Sequence, residues 1–229
     1  MISIKQYCNE RLFKLSRIKL LPNEIHLWSI NWKELEDYIH KYKNLISIQE
    51  EQRVYSFKFY EDRMRCMTGK ILTKLLLAHY LEVDCLDIQI CYEKNGKPYH
   101  MPIKDKRLIQ FNVSHSGEFV FMGFAYEKRI GVDIEKINLS FQYQCISDKF
   151  LSKKEIEDIN KSKNIEKFYN LWTAKEAYVK AIGIGLFKEF KSFSVSEDII
   201  KENNKIEEGW FLKNIKLNEE YVGCVVLKK

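Results

Sequence analysis

The chain is predicted to be an α+β protein built of two similar halves, on three observations. The order strand, helices, strands occurs on both sides of residue 125. Apolar residues repeat at helical spacing over 50–81 and again within 152–182. No Gly/Ser-rich, Pro-rich or low-complexity tract separates the two stretches, so the halves, 1–125 and 126–229, are expected to pack as a compact pseudo-dimer with a cleft between them. No strong residue-level repeat accompanies the repeated order. At 229 residues, 45% hydrophobic and 14% aromatic, the chain can bury a substantial core, which argues against disorder.

Residues 25–30 (IHLWSI), bounded by Pro22 and Asn31, read as a strand. Residues 32–43 then carry Leu35, Tyr38, Ile39 and Tyr42 at helical intervals. The longest helical signal, 50–81, runs through Val54, Phe57, Met64, Met67, Ile71, Leu72, Leu75 and Leu76, with a break expected near 59–62 and a weakness at Gly69. Ile88, Ile90 and Tyr92 alternate with polar neighbours as a half-buried strand does, and Asn95-Gly96 marks a turn before Lys97-Pro98. Two strands, 119–126 (FVFMGFAY) and 130–134 (IGVDI), are joined at 127–129. A helical zone covers 152–182, followed by strands at 193–196, 210–217 and 221–227, the last two forming a hairpin.

Lys and Arg total 38 against 32 acidic residues, a formal charge of +6. That excess suits an anionic partner such as a nucleotide or an acidic protein, or is ordinary solubility; no basic stripe of the nucleic-acid type is present. The six cysteines are scattered without a CxxC pair and read as buried thiols of a reducing compartment, with no disulfides. The N-terminus is charged throughout, and the longest aliphatic run, 75–78, is far too short to span a bilayer, so a soluble cytoplasmic protein is expected.

Two islands, 112–135 and 172–186, hold most of the chemistry. Asp133 and Glu135 sit two apart in an apolar strand, which points both carboxylates to one face. Two desolvated acids side by side call for a cation or basic partners, and oxygen ligands suit Mg²⁺; the alternative is an edge strand whose acids face water. Trp172, Glu176 and Lys180 follow at intervals of four along one side of a helix. Lys175 interrupts the apolar stripe of Phe168, Leu171, Trp172, Val179 and Ile182, which implies that the stripe borders a polar cleft. Ser114 and His115 precede Gly117 at a strand end or tight turn, where an anion can meet backbone N–H groups; His115 taken singly is as readily structural. Gly183 and Gly185 read as a helix stop. A P-loop, a dinucleotide fingerprint, GxSxG, HExxH and clustered Cys/His are all absent, which removes those enzyme classes.

Taken in order, Gly96-Lys97-Pro98, FNVSHSG (111–117), GVDIE (131–135) and WTAKEAYVKAIGIGL (172–186) resemble the motif set of the Sfp-type 4′-phosphopantetheinyl transferases, from about residue 25 to the C-terminus. The resemblance implies two α+β halves around a cleft that binds coenzyme A, and a chain able to act as a monomer. It implies transfer of the phosphopantetheine arm of coenzyme A to a serine of an acyl or peptidyl carrier protein, releasing adenosine 3′,5′-bisphosphate. By motif, Asp133, Glu135 and Glu176 would hold Mg²⁺, Glu176 would act as base, and Lys180 would donate to the phosphates and stabilise the leaving group. Lys175 would be a phosphate or structural contact. Lys97, Ser114 and His115 match nucleotide-end contacts, with Gly96 and Pro98 shaping the adenine loop; Arg53 and Arg65 fall where the family places 3′-phosphate contacts. The competing readings are a coenzyme A- or nucleotide-binding regulatory module without turnover, and a general Mg²⁺-dependent phosphoryl or nucleotidyl transferase.

Overall fold

The computed structural model describes residues 2–162, 164–183, 190–196, 199–202 and 205–229. Two compact units emerge, Met1–Lys94 with Pro98–Glu127, and Asn95–Lys97 with Lys128–Lys229. The first contains β1 (Ser3–Tyr7), α1 (Asn9–Leu12), β2 (Glu24–Asn31), α2 (Glu36–Lys41), α3 (Ile48–Tyr55), α4 (Tyr60–Leu81), β3 (Ile90–Tyr92), β4 (Pro98–His100), β5 (Ile109–Ser116) and β6 (Phe119–Tyr126). The second contains β7 (Ile130–Lys136), α5 (Gln144–Phe150), α6 (Lys153–Ser162), α7 (Ile165–Ile182), β8 (Phe193–Ser196), β9 (Ile199–Glu202), β10 (Lys205–Ile206), β11 (Trp210–Lys216) and β12 (Tyr221–Lys228).

In the first unit a four-stranded sheet runs β1-β2-β6-β5, parallel at β1/β2 and otherwise antiparallel. Helix α4 lies on it with Gly69 at the contact, where an added methyl would come 3.2 Å from Val113 Cγ1. Ile71, Leu72 and Leu76 of α4 pack fully buried in one core with Trp28, Val120, Met122 and Phe124. Burial at about 1.5–3 kcal/mol per large side chain outweighs the ~1 kcal/mol helix cost of Gly69. In the second unit the sheet order is β11-β12-β7, all antiparallel, with α7 across it; β8, β9 and β10 form a separate small sheet.

The duplication is topological. In the first unit a strand (β2), a helical segment and a hairpin (β5, β6) place β2 against the hairpin's second strand; in the second unit β7 stands against β12 in the same way.

A residue-level signature accompanies it. Ser47 and Glu50 form a capping box at the start of α3, and Glu50 Oε2 pairs at 2.9 Å with Lys74 Nζ of α4, which also donates to Leu45 O. Ser152 and Glu155 form the same reciprocal pair at α6, and Glu155 Oε2 pairs at 2.9 Å with Lys175 Nζ of α7, which also donates to Phe150 O. In each unit one Ser-x-x-Glu cap thus ties a preceding helix to the long one.

Several elements differ from expectation. The expected break in the long helical signal falls at 56–59 and not at 59–62, dividing it into α3 and α4, while the helical zone 152–182 holds α6 and α7 as expected of a helical stretch. Residues 32–43 form a 3₁₀ turn, Trp32–Leu35, and the short α2. Strand β1 and helix α5 were not expected. All six cysteines are free, but only Cys224 is buried, which corrects the expectation of buried thiols. Ile184, Gly185 and Leu186 lie outside the described residues.

Candidate active site

The acidic constellation is built by β7 and α7. Strand periodicity places Gly131, Asp133 and Glu135 on one face and the fully buried Val132 on the other. A Cβ on Gly131 would lie 2.0 Å from Ala177 O and 2.4 Å from Ala181 N, so this face is the one that α7 covers with its backbone. Close approach brings the flanking side chains of α7 to the acids. Lys180 Nζ donates to Asp133 Oδ1 at 2.6 Å, and Asp133 is buried. Burial pushes the Glu176 carboxyl above the ordinary value; Lys180 pulls it down and Asp133 pushes it further up. Asp133, Glu176 and Lys180 therefore form one electrostatic group. Glu135 lies half-buried two residues along β7. Among the described residues, the side chains do not gather three or more acids, His or Cys closely enough to enclose a metal ion.

The C-terminal end of α7 is held by cations. Gly183 ends the helix in the left-handed region (φ 79°), and its N–H bonds Val179 O at 2.9 Å. Lys97 Nζ donates to the carbonyls of Lys180 (2.7 Å), Ile130 (3.0 Å) and Ala181 (3.2 Å), while Arg129 Nη1 donates to Ile182 O at 2.6 Å. The last carbonyls of a helix lack intrahelical partners and carry the negative end of its dipole, so both cations are well placed. Lys97 reaches them from a tight turn in which Gly96 takes φ 86° and Asn95 Oδ1 accepts from Lys97 N.

Lys175 does not face a polar cleft. Its side chain has no exposure; besides Glu155 and Phe150 O, its ammonium bonds Phe190 O and Phe193 O, each at 2.9 Å. Burial draws its pKa below that of an ordinary lysine and Glu155 opposes the shift. The lysine completes the apolar stripe from inside the core, its charge met by Glu155; of the phosphate and structural readings of this residue, its contacts favour the structural one, an internal strut. Trp172 stacks on Phe190 and Phe168 beside it.

In the first unit, Ser114 (buried) and His115 (exposed) occupy alternate faces at the end of β5, opposite Phe121 and Val120 of β6. The turn that follows holds Gly117 at φ 55°, and its carbonyl accepts from Arg65 Nη1 at 2.6 Å; Arg65 Nη2 donates to Asp62 Oδ1. Arg65 is thereby brought to the hairpin tip beside His115. Arg53 is exposed on α3, within electrostatic range of Cys66, the neighbour of Arg65 in α4. Pro98 opens β4.

Missed in the sequence were Glu155, Arg129 and the packing role of Gly131. Glu155 had a legible signal, Ser-x-x-Glu before an apolar-periodic run.

One unit thus carries Arg65, Ser114 and His115 at a hairpin, and the other carries acids beneath a lysine-bearing helix. The model of the 4′-phosphopantetheinyl transferase superfamily matches residues 129–226, and that of the 4′-phosphopantetheinyl transferase N-terminal region matches 30–126. The chain is 30% identical to the 4′-phosphopantetheinyl transferase HetI of Nostoc sp., over 76% of this chain and 75% of the relative. It is 32% identical to the 4′-phosphopantetheinyl transferase Sfp of Bacillus subtilis, over 68% of each. A solved holo-(acyl-carrier-protein) synthase of Bacillus anthracis, in complex with CoA (3′,5′-ADP), is 19% identical with a TM-score of 0.37, covering 44% of this chain and 93% of its own. The chain belongs to the 4′-phosphopantetheinyl transferase family.

Proposed function

We propose that this protein moves the 4′-phosphopantetheine arm of coenzyme A onto a serine hydroxyl of an acyl or peptidyl carrier protein and releases adenosine 3′,5′-bisphosphate. The observation that carries the reading is the coupled group Asp133–Lys180–Glu176, which couples two acids to a phosphate-seeking ammonium in a family defined by this transfer. Arg53, Arg65, Ser114 and His115 of the first unit take the nucleotide end, with Gly96 and Pro98 shaping the adenine loop. The second unit supplies the metal and catalytic residues.

The donor set fits a hard divalent cation, because Asp133 and Glu176 offer only carboxylate oxygens and their mutual repulsion is part of what raises Glu176. Asp133, Glu135 and Glu176 would hold Mg²⁺, which when bound supplies charge neutralisation at the pyrophosphate. Glu176, held above the ordinary carboxylate range, is poised to accept the proton of the carrier serine. Lys180, now on Asp133, is the donor available to the leaving phosphate. No helix among the described residues is long and apolar enough to cross a membrane; the proposed setting is the cytoplasm, with the protein acting as a monomer and binding neither nucleic acid nor membrane.

The test is the intact mass of an apo carrier protein after incubation with this protein, coenzyme A and Mg²⁺, beside an EDTA control. A gain of one phosphopantetheine that EDTA prevents supports the reading. No gain across several carriers despite coenzyme A binding would overturn it.

A further inference from the structure

Lys97 lies in the loop between β3 and β4, where family resemblance assigns it to the nucleotide. Among the described residues its ammonium donates to backbone carbonyls of Ile130 of β7 and of Lys180 and Ala181 at the end of α7. These carbonyls flank the point of closest approach between helix and strand, since Ile130 precedes Gly131 and Ala181 N is one of the two atoms nearest the absent Gly131 Cβ. Lys180 is held at both ends: its carbonyl accepts from Lys97, and its ammonium reaches Asp133.

We propose that Lys97 is a positioning residue for the transfer, fixing the register of α7 on β7 in which Lys180 meets Asp133 and Glu176 stands beside both. The inference rests on the proposed function. Gly131 permits the contact but, having no side chain, does not select where along α7 it falls; the Lys97 clamp does. Moving this ammonium onto a phosphate would strip the helix end of a donor it uses. Loss of Lys97 therefore acts on the chemical step and leaves coenzyme A affinity in place.

The experiment compares wild type, Lys97→Met, Lys97→Arg and Arg129→Gln with coenzyme A and an apo carrier protein. Adenosine 3′,5′-bisphosphate binding is measured by calorimetry, and amide exchange of the last turn of α7 by mass spectrometry. For Lys97→Met the expected result is a kcat at least tenfold lower, with the KM for coenzyme A and the bisphosphate Kd within about twofold, and faster exchange in that turn. Lys97→Arg, which keeps donors at the carbonyls, is expected to recover most of kcat. Arg129→Gln, which frees only Ile182 O beyond Lys180, is expected to lower stability without a tenfold loss of kcat, so helix fraying alone is separated from register. A raised KM and Kd with kcat preserved would overturn the proposal in favour of a nucleotide contact, as would unchanged exchange. If Lys97→Met does not fold, Lys97→Arg decides: kcat, KM and exchange of that turn close to wild type support the clamp, and a raised KM and Kd with kcat and exchange unchanged overturn it. A wild type that binds coenzyme A but transfers nothing overturns the proposed function instead, and the exchange measurement still decides the clamp.

Discussion

Lys175→Met is the sharpest test of the internal strut. The substitution keeps an unbranched apolar stem in a site with no exposure and removes the ammonium, leaving the Glu155 carboxylate, itself 6% exposed, without its cation. Removing one partner of a buried pair costs about 3–5 kcal/mol, because the remaining charge stays desolvated. The carbonyls of Phe150, Phe190 and Phe193 lose a donor as well, which puts the expected loss at the upper end of that range. For a unit of this size the cost corresponds to a fall in Tm of roughly 12 °C or more. Glu155 Oε1 also accepts from Val195 N and its Oε2 from Ser152 N; a glutamine keeps one of these two acceptors and removes the unpaired charge, so Lys175→Met/Glu155→Gln is expected to recover part of the loss. The assay is urea unfolding of the two variants and wild type, with KM for coenzyme A measured on each. A loss below about 1 kcal/mol together with a raised KM would refute the strut and return Lys175 to the phosphates.

Glu176→Gln should abolish transfer, by about 10²–10⁴-fold for a lost general base, and at the same time raise thermal stability at neutral pH. The sign follows from its raised value: a carboxyl whose folded pKa lies above the unfolded one stabilises only below the unfolded value, and that contribution is lost as pH rises through the folded one. An unchanged or lower Tm at pH 7 would contradict it. Burial pushes the Glu50 carboxyl up, but the Ser47 N–H and the Lys74 and Lys70 cations outweigh it and hold it below the ordinary 4.5. Its stabilisation is therefore present above the unfolded value and lost as pH falls through the folded one, and the acid limb of a Tm-against-pH curve should flatten in Glu50→Gln. Gly131→Ala should lift α7 from β7, because the new methyl would sit 2.0 Å from a backbone oxygen, and cost about 3 kcal/mol or more with a matching loss of kcat; near-normal stability would show that α7 is free to shift.

What the sequence made legible was whatever is periodic or local. The alternation of GVDIE put Asp133 and Glu135 on one face, and i,i+4 spacing put Glu176 and Lys180 on one side of α7. What it hid was long-range pairing. Lys175 reads as an intruder in an apolar stripe because its partner, Glu155, lies on another helix, and the same residue types at a cleft would give the same string. Lys97 is a loop residue whose carbonyl acceptors on Ile130, Lys180 and Ala181 come from two distant segments, so nothing near it in sequence announces a clamp. Strand β1 lacks alternation because it is largely exposed.

The duplicated strut also shows where the two units diverge. Matching Lys74 to Lys175 along the long helices sets Leu75 against Glu176, Leu76 against Ala177, His79 against Lys180 and Tyr80 against Ala181. In the first unit the bulky Leu76 and Tyr80 hold α4 off its sheet with side chains; the Tyr80 hydroxyl accepts from Trp28 Nε1 at 2.8 Å on β2, the strand equivalent to β7. The second unit has alanines at those positions over Gly131, so backbone meets backbone. That closer approach is what allows the short acid Asp133 to reach Lys180 and to act on Glu176. Where large side chains fill the interface, as in the first unit, the matching helix positions carry Leu75 and a histidine whose Nε2 is hydrogen-bonded to Ile18 O. The strut survives in both units because each long helix needs its neighbour held, whereas acid–lysine chemistry requires the thin interface and is confined to the unit that has it.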